Sequence, residues 1–313
     1  MGVDYNAVKL LVWSKKLGVS FERTATLGHQ GFDCAARQLR HVLSDFGFPA
    51  SEPDLERCFE RPPMGGIYAD NFLRLLGAKE IVSIDYSDFE GATLLHDLNE
   101  PFPEAQRARF TFVHDGGTLE HIFNYPAALR HTLELVALGG HFLTVAPGHS
   151  SMGHGFYQIS PELFFRVFSA DNGFELRKIV LYPCIKRDAP FYEVKDPAVT
   201  GYRTDLISRQ PMILAALARR TALKPILARP PMQSDYAAHW ETHRQRTAAA
   251  NGSATGLLWR VRTALNPYWP HWLRRWRQSL HFRRCAGGRP SLRNPNHFRR
   301  LSYRELCGQD GRG

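Results

Sequence analysis

The sequence predicts an α/β protein with a mostly parallel, doubly wound sheet. An apolar, strand-like run at 110–113 leads through a helical segment to a Gly139-Gly140 pair and a second apolar run at 141–146. This strand–helix–strand order is the unit of a parallel sheet, because parallel neighbours need a crossover connection. Polar residues follow both runs, at His114-Asp115 and at His149. In doubly wound sheets the ligand crevice lies beyond these carboxyl ends of the strands.

Other segments continue the alternation of helices and strands. Apolar periodicity predicts an amphipathic helix over 4–18, with Lys9, Lys15 and Lys16 outside its apolar face. The proline-rich segment 49–63 is expected to be a loop. Three further helices are predicted: one over 33–46, one that ends at Gly77 and one that begins at Ser160. Five further strands are predicted, at 24–27, at 81–85, just after Thr93, at 174–181 and at 212–220.

Length and composition indicate an ordinary globular chain. Of the 313 residues, 43% are hydrophobic, and no apolar run approaches the roughly 18 residues of a membrane span. The first residues lack the basic-then-apolar pattern of a signal peptide. The five cysteines form no Cys-x-x-Cys pair, so neither a disulfide framework nor a zinc site is predicted. We therefore expect a cytoplasmic protein.

The positive charge is concentrated in the last fifth of the chain. The formal net charge is +10, yet the segment 256–313 alone holds thirteen arginines against two acids, Glu305 and Asp310. The preceding residues are therefore close to neutral. Basicity is a property of the tail, which argues against a nucleic-acid-binding surface on the main body.

One series of motifs carries a family resemblance. Asp115-Gly116-Gly117-Thr118-Leu119-Glu120-His121, the helix after it, Gly139-Gly140 and Pro147 resemble the second half of a class I S-adenosylmethionine-dependent methyltransferase. The resemblance extends from about Thr24 to Arg220. It implies a Rossmann-like sheet of the seven-stranded type, S-adenosyl-L-methionine as the cofactor, and methyl transfer as the activity.

The first glycine loop departs from that family. Gly28 and Gly31 can supply the tight turn that lets backbone N–H groups approach a cofactor. The family usually has an acidic residue before this loop and the pattern Gly-x-Gly-x-Gly within it, and this chain has neither. Two interpretations stay open. Either a variant loop still holds the methionine part of the cofactor, or the domain has lost cofactor binding.

Further cofactor-binding residues are expected at the ends of three strands. Asp85 ends the second predicted strand, where an acid accepts hydrogen bonds from ribose hydroxyls. Its alternative role is to start a turn through residues 86–88. The resemblance assigns the adenine to Asp97 and Leu98. It also places three residues along the cofactor cleft: His114, Asp115 and Gly116.

Candidate catalytic residues are the histidines near the acceptor side. Methyl transfer to a hydroxyl needs a base for its proton, and histidine titrates in the right range. The candidates are His154, His149 and His121, and His154 is favoured because Gly153 and Gly155 flank it. The alternative is that these histidines hydrogen-bond the backbone and shape the loop.

Two further interpretations concern the same region. Glu120 either orients a histidine or caps the helix that follows it, and capping is slightly favoured. No metal site is predicted, because the histidines lack a convincing ligand spacing along the chain. The segment 183–209, with Phe191, Tyr192 and Tyr202, is expected to contribute to an acceptor pocket.

The predicted domains are a methyltransferase-like domain over 1–222, whose N-terminal helix falls within 1–20, and a basic extension over 223–313. Residues 257–284 interleave tryptophan with arginine, which suits an anionic membrane surface. Packing on the main domain and contact with nucleic acid are the alternatives. Residues 286–313 are expected to be disordered.

The sequence thus favours methyl transfer to a small-molecule or glycan-precursor acceptor. The main alternative is a catalytically inactive methyltransferase-like scaffold that acts through its basic tail. A nicotinamide-dependent oxidoreductase is disfavoured, because the chain lacks Gly-x-Gly-x-x-Gly after the first strand.

Overall fold

The computed structural model describes most of the chain up to residue 236 and a shorter segment near the C-terminus. The described residues are 2–61, 65–186, 188–236, 240, 270, 272–273, 275–276, 279–280 and 287–308. The predicted tail segment 257–284 therefore lies mostly outside the described residues. Its described members include Trp272 and Trp276, which are 69% and 59% exposed.

Strands and helices alternate along the first two thirds of the chain. The strands are β1 (Val3–Asp4), β2 (Arg23–Leu27), β3 (Phe32–Asp33), β4 (Glu80–Asp85), β5 (Leu94–Leu95), β6 (Phe110–Asp115), β7 (Val136–His149), β8 (Phe174–Pro183), β9 (Tyr192–Val194), β10 (Met212–Arg220) and β11 (Phe298–Arg300). The α-helices are α1 (Tyr5–Lys16), α2 (Ala36–Asp45), α3 (Glu52–Arg57), α4 (Asp70–Leu75), α5 (Tyr125–Glu134), α6 (Pro161–Val167), α7 (Pro197–Thr200) and a last helix, Tyr303–Leu306. None of the helices among the described residues combines the length and the apolar character needed to cross a membrane.

The main sheet has a doubly wound strand order. Its described strands are arranged β11-β9-β8-β10-β7-β6-β2-β4-β5. The five strands from β7 to β5 pair in parallel. β2, the first of them in the chain, lies between the second and the fourth, which is the strand order of doubly wound folds. The predicted fold class is confirmed.

The sheet becomes antiparallel beyond β7. β10 pairs antiparallel with β7 on one side and with β8 on the other. β8 therefore points in the same direction as β7, and β10 alone is reversed among these three strands. Alternate residues of β10, Ile213, Ala215 and Leu217, pack into the same core as α1, as expected for side chains on one face of a strand.

Helix α1 is buried almost all round, which corrects one sequence prediction. Its residues from Asn6 to Ser14 are buried, including Lys9, which is only 2% exposed. The Lys9 ammonium donates to the Asp188 carboxylate at 3.0 Å and lies 5.0 Å and 5.1 Å from the ring centres of Tyr5 and Phe191. The prediction that Lys9 lies outside the apolar face is wrong, because a charge partner and two rings replace its water.

Two segments expected to be irregular form helices. The predicted loop at 49–63 contains α3, whose first turn is capped by Ser51: its hydroxyl accepts from the Asp54 N–H. The predicted disorder of 286–313 is also wrong for 287–308. There Ser302 and Glu305 form a reciprocal capping box at the start of the last helix. Local capping residues thus outweigh the proline and arginine content of both segments.

Backbone contacts divide the chain into two compact units. The first comprises Met1–Glu193, Ser208–Pro230 and Arg300–Gly313, and the second comprises Val194–Ile207 and Pro231–Arg299. The first unit contains the whole parallel part of the sheet and every candidate site residue. The predicted domain boundary after residue 222 stays a prediction.

A glycine pair, Gly139-Gly140, lies near the start of β7. Gly139 has a φ of 79°, in the left-handed region that favours glycine. A Cβ on Gly140 would lie 2.9 Å from the carbonyl oxygens of Ala137 and Phe110. The backbone of β6 can approach β7 this closely only because residue 140 has no side chain.

Gly140→Ala tests this close approach. We expect the substitution to lower the free energy of unfolding by about 1–3 kcal/mol, because the added methyl group meets fixed carbonyl oxygens. Urea denaturation is the measurement. Gly153→Ala is the matched control, since a Cβ there meets no atom within 4 Å, and it should change stability little. Equal stability of the two variants would contradict this account.

Candidate functional site

The carboxyl ends of β2 and β6 lie side by side at the switch point of the sheet. Leu27 pairs with Ile84 on one side and with Asp115 on the other. Gly28 and Gly116, the next residues of β2 and β6, therefore flank the crevice where doubly wound sheets bind ligands. The structure brings these two predicted residues together.

Gly28 makes the tight turn that was expected of it. Its φ is 74°, and its N–H donates to the Ile84 carbonyl at 2.7 Å. A Cβ at this position would lie 3.4 Å from the side chains of Gln30 and Thr118 and 3.8 Å from Asp85. The backbone conformation therefore favours glycine here, whereas a Cβ would make only ordinary contacts.

Gly31 lies outside that turn. Its carbonyl accepts the Val3 N–H at 2.7 Å, and a Cβ on Gly31 would meet no atom within 4 Å. Its geometry therefore does not require glycine, and its carbonyl is committed to the N-terminal strand β1. Its predicted role in cofactor binding stays a prediction.

His29 holds the turn after Gly28 in place. Its ring stacks on Tyr68 with the centroids 3.6 Å apart and the planes 6° apart. Its two ring nitrogens lie 2.8 Å from Asp70 Oδ2 and 2.6 Å from the Glu90 carbonyl oxygen. The variant loop is thus fixed by side-chain contacts rather than by additional glycines.

Gln30 is a residue of the crevice that sequence reasoning missed. Its amide donates to the Leu27 carbonyl, and the space over Gly116 is filled by its side-chain oxygen, so a Cβ on Gly116 would overlap it. That oxygen is buried and has no hydrogen-bond partner among the described residues. Gln30 therefore offers an unused acceptor at the switch point. No sequence signal marked it, because glutamine belongs to no glycine-loop pattern.

Asp85 lies at the next strand end, beside Gly28. One carboxylate oxygen, Oδ1, accepts the Tyr86 N–H at 2.6 Å, so the predicted turn after Asp85 is present. The other oxygen, Oδ2, has no hydrogen bond within the described part of the chain and points toward Gly28. One side chain therefore starts the turn and still offers an acceptor to a ligand.

Asp97 and Leu98 follow β5, the strand that pairs with the end of β4. Asp97 Oδ1 accepts from the backbone N–H and the side-chain amide of Asn99 at 2.9 Å and 2.8 Å. These hydrogen bonds lower the pKa of Asp97 and keep it ionised. Leu98 is 5% exposed and presents little surface. Its predicted contact with an adenine ring stays a prediction.

His114 and Asp115 lie beneath the crevice and not on its surface. Both side chains are no more than 1% exposed. His114 Nδ1 lies 3.1 Å from the Leu143 carbonyl oxygen, and burial lowers the pKa of His114 to about 4. Asp115 accepts from the N–H groups of Thr118 and Leu119 and from the Thr144 hydroxyl. Burial raises the pKa of the Asp115 carboxyl. Both side chains therefore support the crevice from below and do not form part of its surface.

Three further side chains converge beyond the ends of β6 and β7. Glu120, His121 and His154 each offer a ligand atom, and these atoms lie within 4.8 Å of one another. Glu120 Oε1 is 3.4 Å from His154 Nε2. Burial, with the charge of Asp115, raises the pKa of Glu120 to about 8. Burial, with His154 nearby, lowers the pKa of His121.

Backbone contacts hold the loop that carries His154 against this cluster. The Phe156 N–H donates to the Glu120 carbonyl at 2.9 Å, and a Cβ on Gly155 would lie 2.9 Å from the same oxygen. Of the two glycines that flank His154, Gly155 is required for the approach, whereas Gly153 has open space around it. Glu120 lies 3.4 Å from His154 and makes no side-chain capping contact at the start of α5. The capping interpretation is therefore not supported, and the orienting one stays a prediction.

His149 does not join the cluster. Its Nε2 accepts the Ser208 N–H at 3.2 Å, so the lone pair of that nitrogen is engaged by the backbone. This is the loop-shaping role that was the alternative to catalysis. Its predicted catalytic role has no geometric support beyond its place in the loop.

Exposed apolar side chains lie on the same loops as the cluster. Phe123 and Phe156 are 76% and 67% exposed and meet edge to face, with their ring centroids 5.7 Å apart. Met152 is 91% exposed. The Tyr157 hydroxyl donates to the Phe123 carbonyl at 2.6 Å and ties the two loops together. Phe123, Phe156 and Met152 therefore form an exposed apolar rim on the loops that carry the cluster.

A large cavity of about 650 Å³ lies elsewhere, beside α1. Its lining includes Lys9 together with Asp188 and Phe191 of the predicted acceptor segment 183–209, and none of the predicted catalytic or cofactor-binding residues. Phe191 is 1% exposed and also belongs to the core, so the role of this segment in an acceptor pocket stays a prediction.

Comparisons with known proteins yield matches in structure alone. No protein-family model matches the chain, and no curated protein is significantly similar in sequence. A methyltransferase from Mesorhizobium loti, described as S-adenosylmethionine-dependent, is 14% identical with a TM-score of 0.35; the match covers 67% of this chain and 98% of that one. The 1,6-didemethyltoxoflavin-N1-methyltransferase of Burkholderia thailandensis is 12% identical with a TM-score of 0.37, covering 70% and 78%.

A third match has a different activity. The branched-chain polyamine synthase of Thermus thermophilus is 16% identical with a TM-score of 0.33, covering 74% of this chain and 60% of that one. At such identities the three matches bear on the fold alone, and at such TM-scores we base no conclusion about substrate or activity on them. The strand order of the chain itself carries the fold assignment.

The buried histidine at the end of β6 predicts a pH dependence of stability. The pKa of His114 is about 4 in the folded protein against 6.5 for an ordinary histidine, so below pH 6.5 the unfolded chain binds this proton first. Neutral His114 therefore contributes its full share to the free energy of unfolding above pH 6.5. This contribution, up to about 3 kcal/mol, is lost as the pH falls toward 4.

His114→Asn isolates that contribution, because its amide can still donate to the Leu143 carbonyl but does not titrate. We expect wild-type stability, measured by urea denaturation from pH 7.5 to 4.5, to fall more steeply than that of the variant. His141, whose pKa burial also lowers to about 4, remains in both proteins. Parallel pH profiles would contradict the assignment.

Proposed function

We propose that this chain binds S-adenosyl-L-methionine at the switch point and transfers its methyl group to a small-molecule acceptor. The observation that carries the proposal is the pair Asp85 and Asp97. Asp85 ends β4 beside Gly28, Asp97 follows the adjacent parallel strand β5, and Oδ2 of each has no hydrogen bond among the described residues. Two carboxyl groups with free oxygens at this edge suit a ligand that brings hydroxyl and amino donors.

In this proposal each part of the cofactor has a matching group. Asp85 Oδ2 accepts from the ribose hydroxyls, and Asp97 accepts from the exocyclic amine of the adenine. The backbone of Gly28 and Gly116 and the free acceptor of Gln30 face the methionine part. Because His29 fixes the turn through Tyr68 and Asp70, the variant loop is preformed, which supports the interpretation that it still holds a cofactor.

The acceptor side is proposed to lie at the cluster of Glu120, His121 and His154. The sulfonium of the cofactor supplies an electrophilic methyl group, and the acceptor must lie in line with it. The cluster provides the polar groups for the proton that a hydroxyl or amine acceptor loses. The rim of Phe123 and Phe156 favours an acceptor with an apolar or aromatic part, and a glycan precursor with an apolar carrier also satisfies this requirement.

The cofactor proposal is tested by calorimetric titration of S-adenosylmethionine and S-adenosylhomocysteine into the full chain. We expect binding that Asp85→Asn weakens about 10- to 100-fold, the cost of losing a hydrogen bond to a charged group. Asp88→Asn, a substitution at an exposed acid of the same turn, is the matched control and should bind as the wild type does.

The outcome also decides between enzyme and scaffold. Absence of heat and of a thermal shift with both ligands would overturn the cofactor proposal and leave the inactive scaffold as the better account. Equal weakening in Asp85→Asn and Asp88→Asn would show that net charge, and not the ribose contact, governs binding.

We also propose a cytoplasmic location with peripheral contact to anionic membranes through 257–284. The support is the arginine-tryptophan composition together with the exposed rings of Trp272 and Trp276. We expect the protein to sediment with phosphatidylserine-containing vesicles, and the double variant Trp272→Ala/Trp276→Ala to do so less. Neutral phosphatidylcholine vesicles are the control. Equal sedimentation of both proteins would contradict the contact.

A further inference from the structure

We propose that Glu120, His121 and His154 bind a divalent transition-metal ion. One carboxylate and two imidazoles converge on a single point, with their ligand atoms within 4.8 Å of one another. Two histidines and one carboxylate form the ligand set of catalytic zinc sites and of non-haem iron sites. The inference goes beyond methyl transfer and does not require that the cofactor binds. With the ion bound, these three side chains act as its ligands and do not take the acceptor's proton.

The burial of Glu120 is the strongest reason to place a cation here. Its side chain is fully buried, at 0% exposure. Neither of its carboxylate oxygens has a hydrogen-bond partner among the described residues. Leaving such a group unsatisfied is costly, whether it is charged or neutral. A metal ion would supply the missing partner.

His154, which faces Glu120, also has a ring nitrogen that lacks a hydrogen-bond partner among the described residues. Its Nε2 is buried and has no hydrogen bond in the described part of the chain, although it lies 3.4 Å from Glu120 Oε1. The two atoms face each other without hydrogen-bond geometry. An ion between them would engage both, since a carboxylate oxygen and an imidazole nitrogen can bind the same metal.

The site needs only a small closure to reach coordination distances. Ligand atoms bound to one zinc ion at about 2.0–2.2 Å lie about 3–3.5 Å apart in a tetrahedral arrangement. The ligand atoms here lie within 4.8 Å of one another, so the closure needed is at most about 1–2 Å by the same zinc geometry. His121 is exposed and can rotate, whereas the hydrogen bond from Phe156 to the Glu120 carbonyl keeps the two backbones together. Side-chain rotation can therefore complete the set.

Three protein ligands leave at least one coordination position open. Catalytic zinc sites keep that position for water or substrate. Exposed Phe123 and Phe156 lie close in sequence to His121 and His154 and contact each other. We therefore infer that the open position takes an oxygen or nitrogen donor of a molecule with an apolar part.

The experiment is titration of Co²⁺, followed by Zn²⁺, into full-length protein freed of metal with a chelator. Visible absorption reports Co²⁺ in a site of low coordination number, and calorimetry gives the zinc affinity. We expect one site that Glu120→Gln and His154→Gln each weaken by at least about 10-fold, since loss of even a supporting group costs that much. Circular dichroism and thermal unfolding establish that each variant is folded.

A matched control separates this site from other histidines and cysteines. His41→Gln removes an exposed imidazole on α2 and should bind Co²⁺ as the wild type does. Equal binding by wild type and Glu120→Gln, or no saturable binding by the wild type, overturns the proposal. Binding of S-adenosylmethionine is measured separately with Asp85→Asn, so failure of one proposal is distinguishable from failure of the other.

Discussion

The buried carboxylate of Asp115 organises the candidate site. It ends β6 and accepts hydrogen bonds from the Thr118 and Leu119 N–H groups and from the Thr144 hydroxyl of β7. These contacts join two neighbouring strands to the short helical turn Leu119–His121. Because the turn begins at this carboxylate, Glu120 and His121 are presented beyond the strand ends in one orientation. A buried carboxylate is tolerated here because three donors replace its water.

The same arrangement leaves a second carboxylate without such compensation. Glu120 lies a few residues after Asp115, equally buried, and their mutual repulsion contributes to the raised pKa of Glu120. No donor among the described residues satisfies it. A stable fold rarely retains such a group unless a ligand, an ion or a reaction uses it. Asp115, whose oxygens accept hydrogen bonds, therefore supports the fold in this region. Glu120, whose oxygens accept none among the described residues, is the candidate functional group.

Much of the fold was predictable because local signals agreed with one another. The run 110–113 lies in β6, the run 141–146 lies in β7, which begins before the glycine pair, and Ser160 is the N-cap of α6. The errors arose where a distant partner changed the outcome. Lys9 was assigned to solvent, but Asp188 lies far along the chain and no periodicity could reveal that pair. The segment 287–308 was judged by composition, yet it contains a capped helix and a strand.

The sequence by itself determined the fold class and the positions of Gly28, Asp85 and Asp97, because hydrophobic periodicity and strand-end polarity are local properties of the chain. Tertiary structure alone decided which polar side chains are free to contact a ligand. It buried His114 and Asp115, engaged His149 with Ser208, and brought His154 to Glu120 across 34 residues. Burial and pairing depend on residues that are remote in sequence, so the chemistry of the site was settled only when β6 and β7 came together.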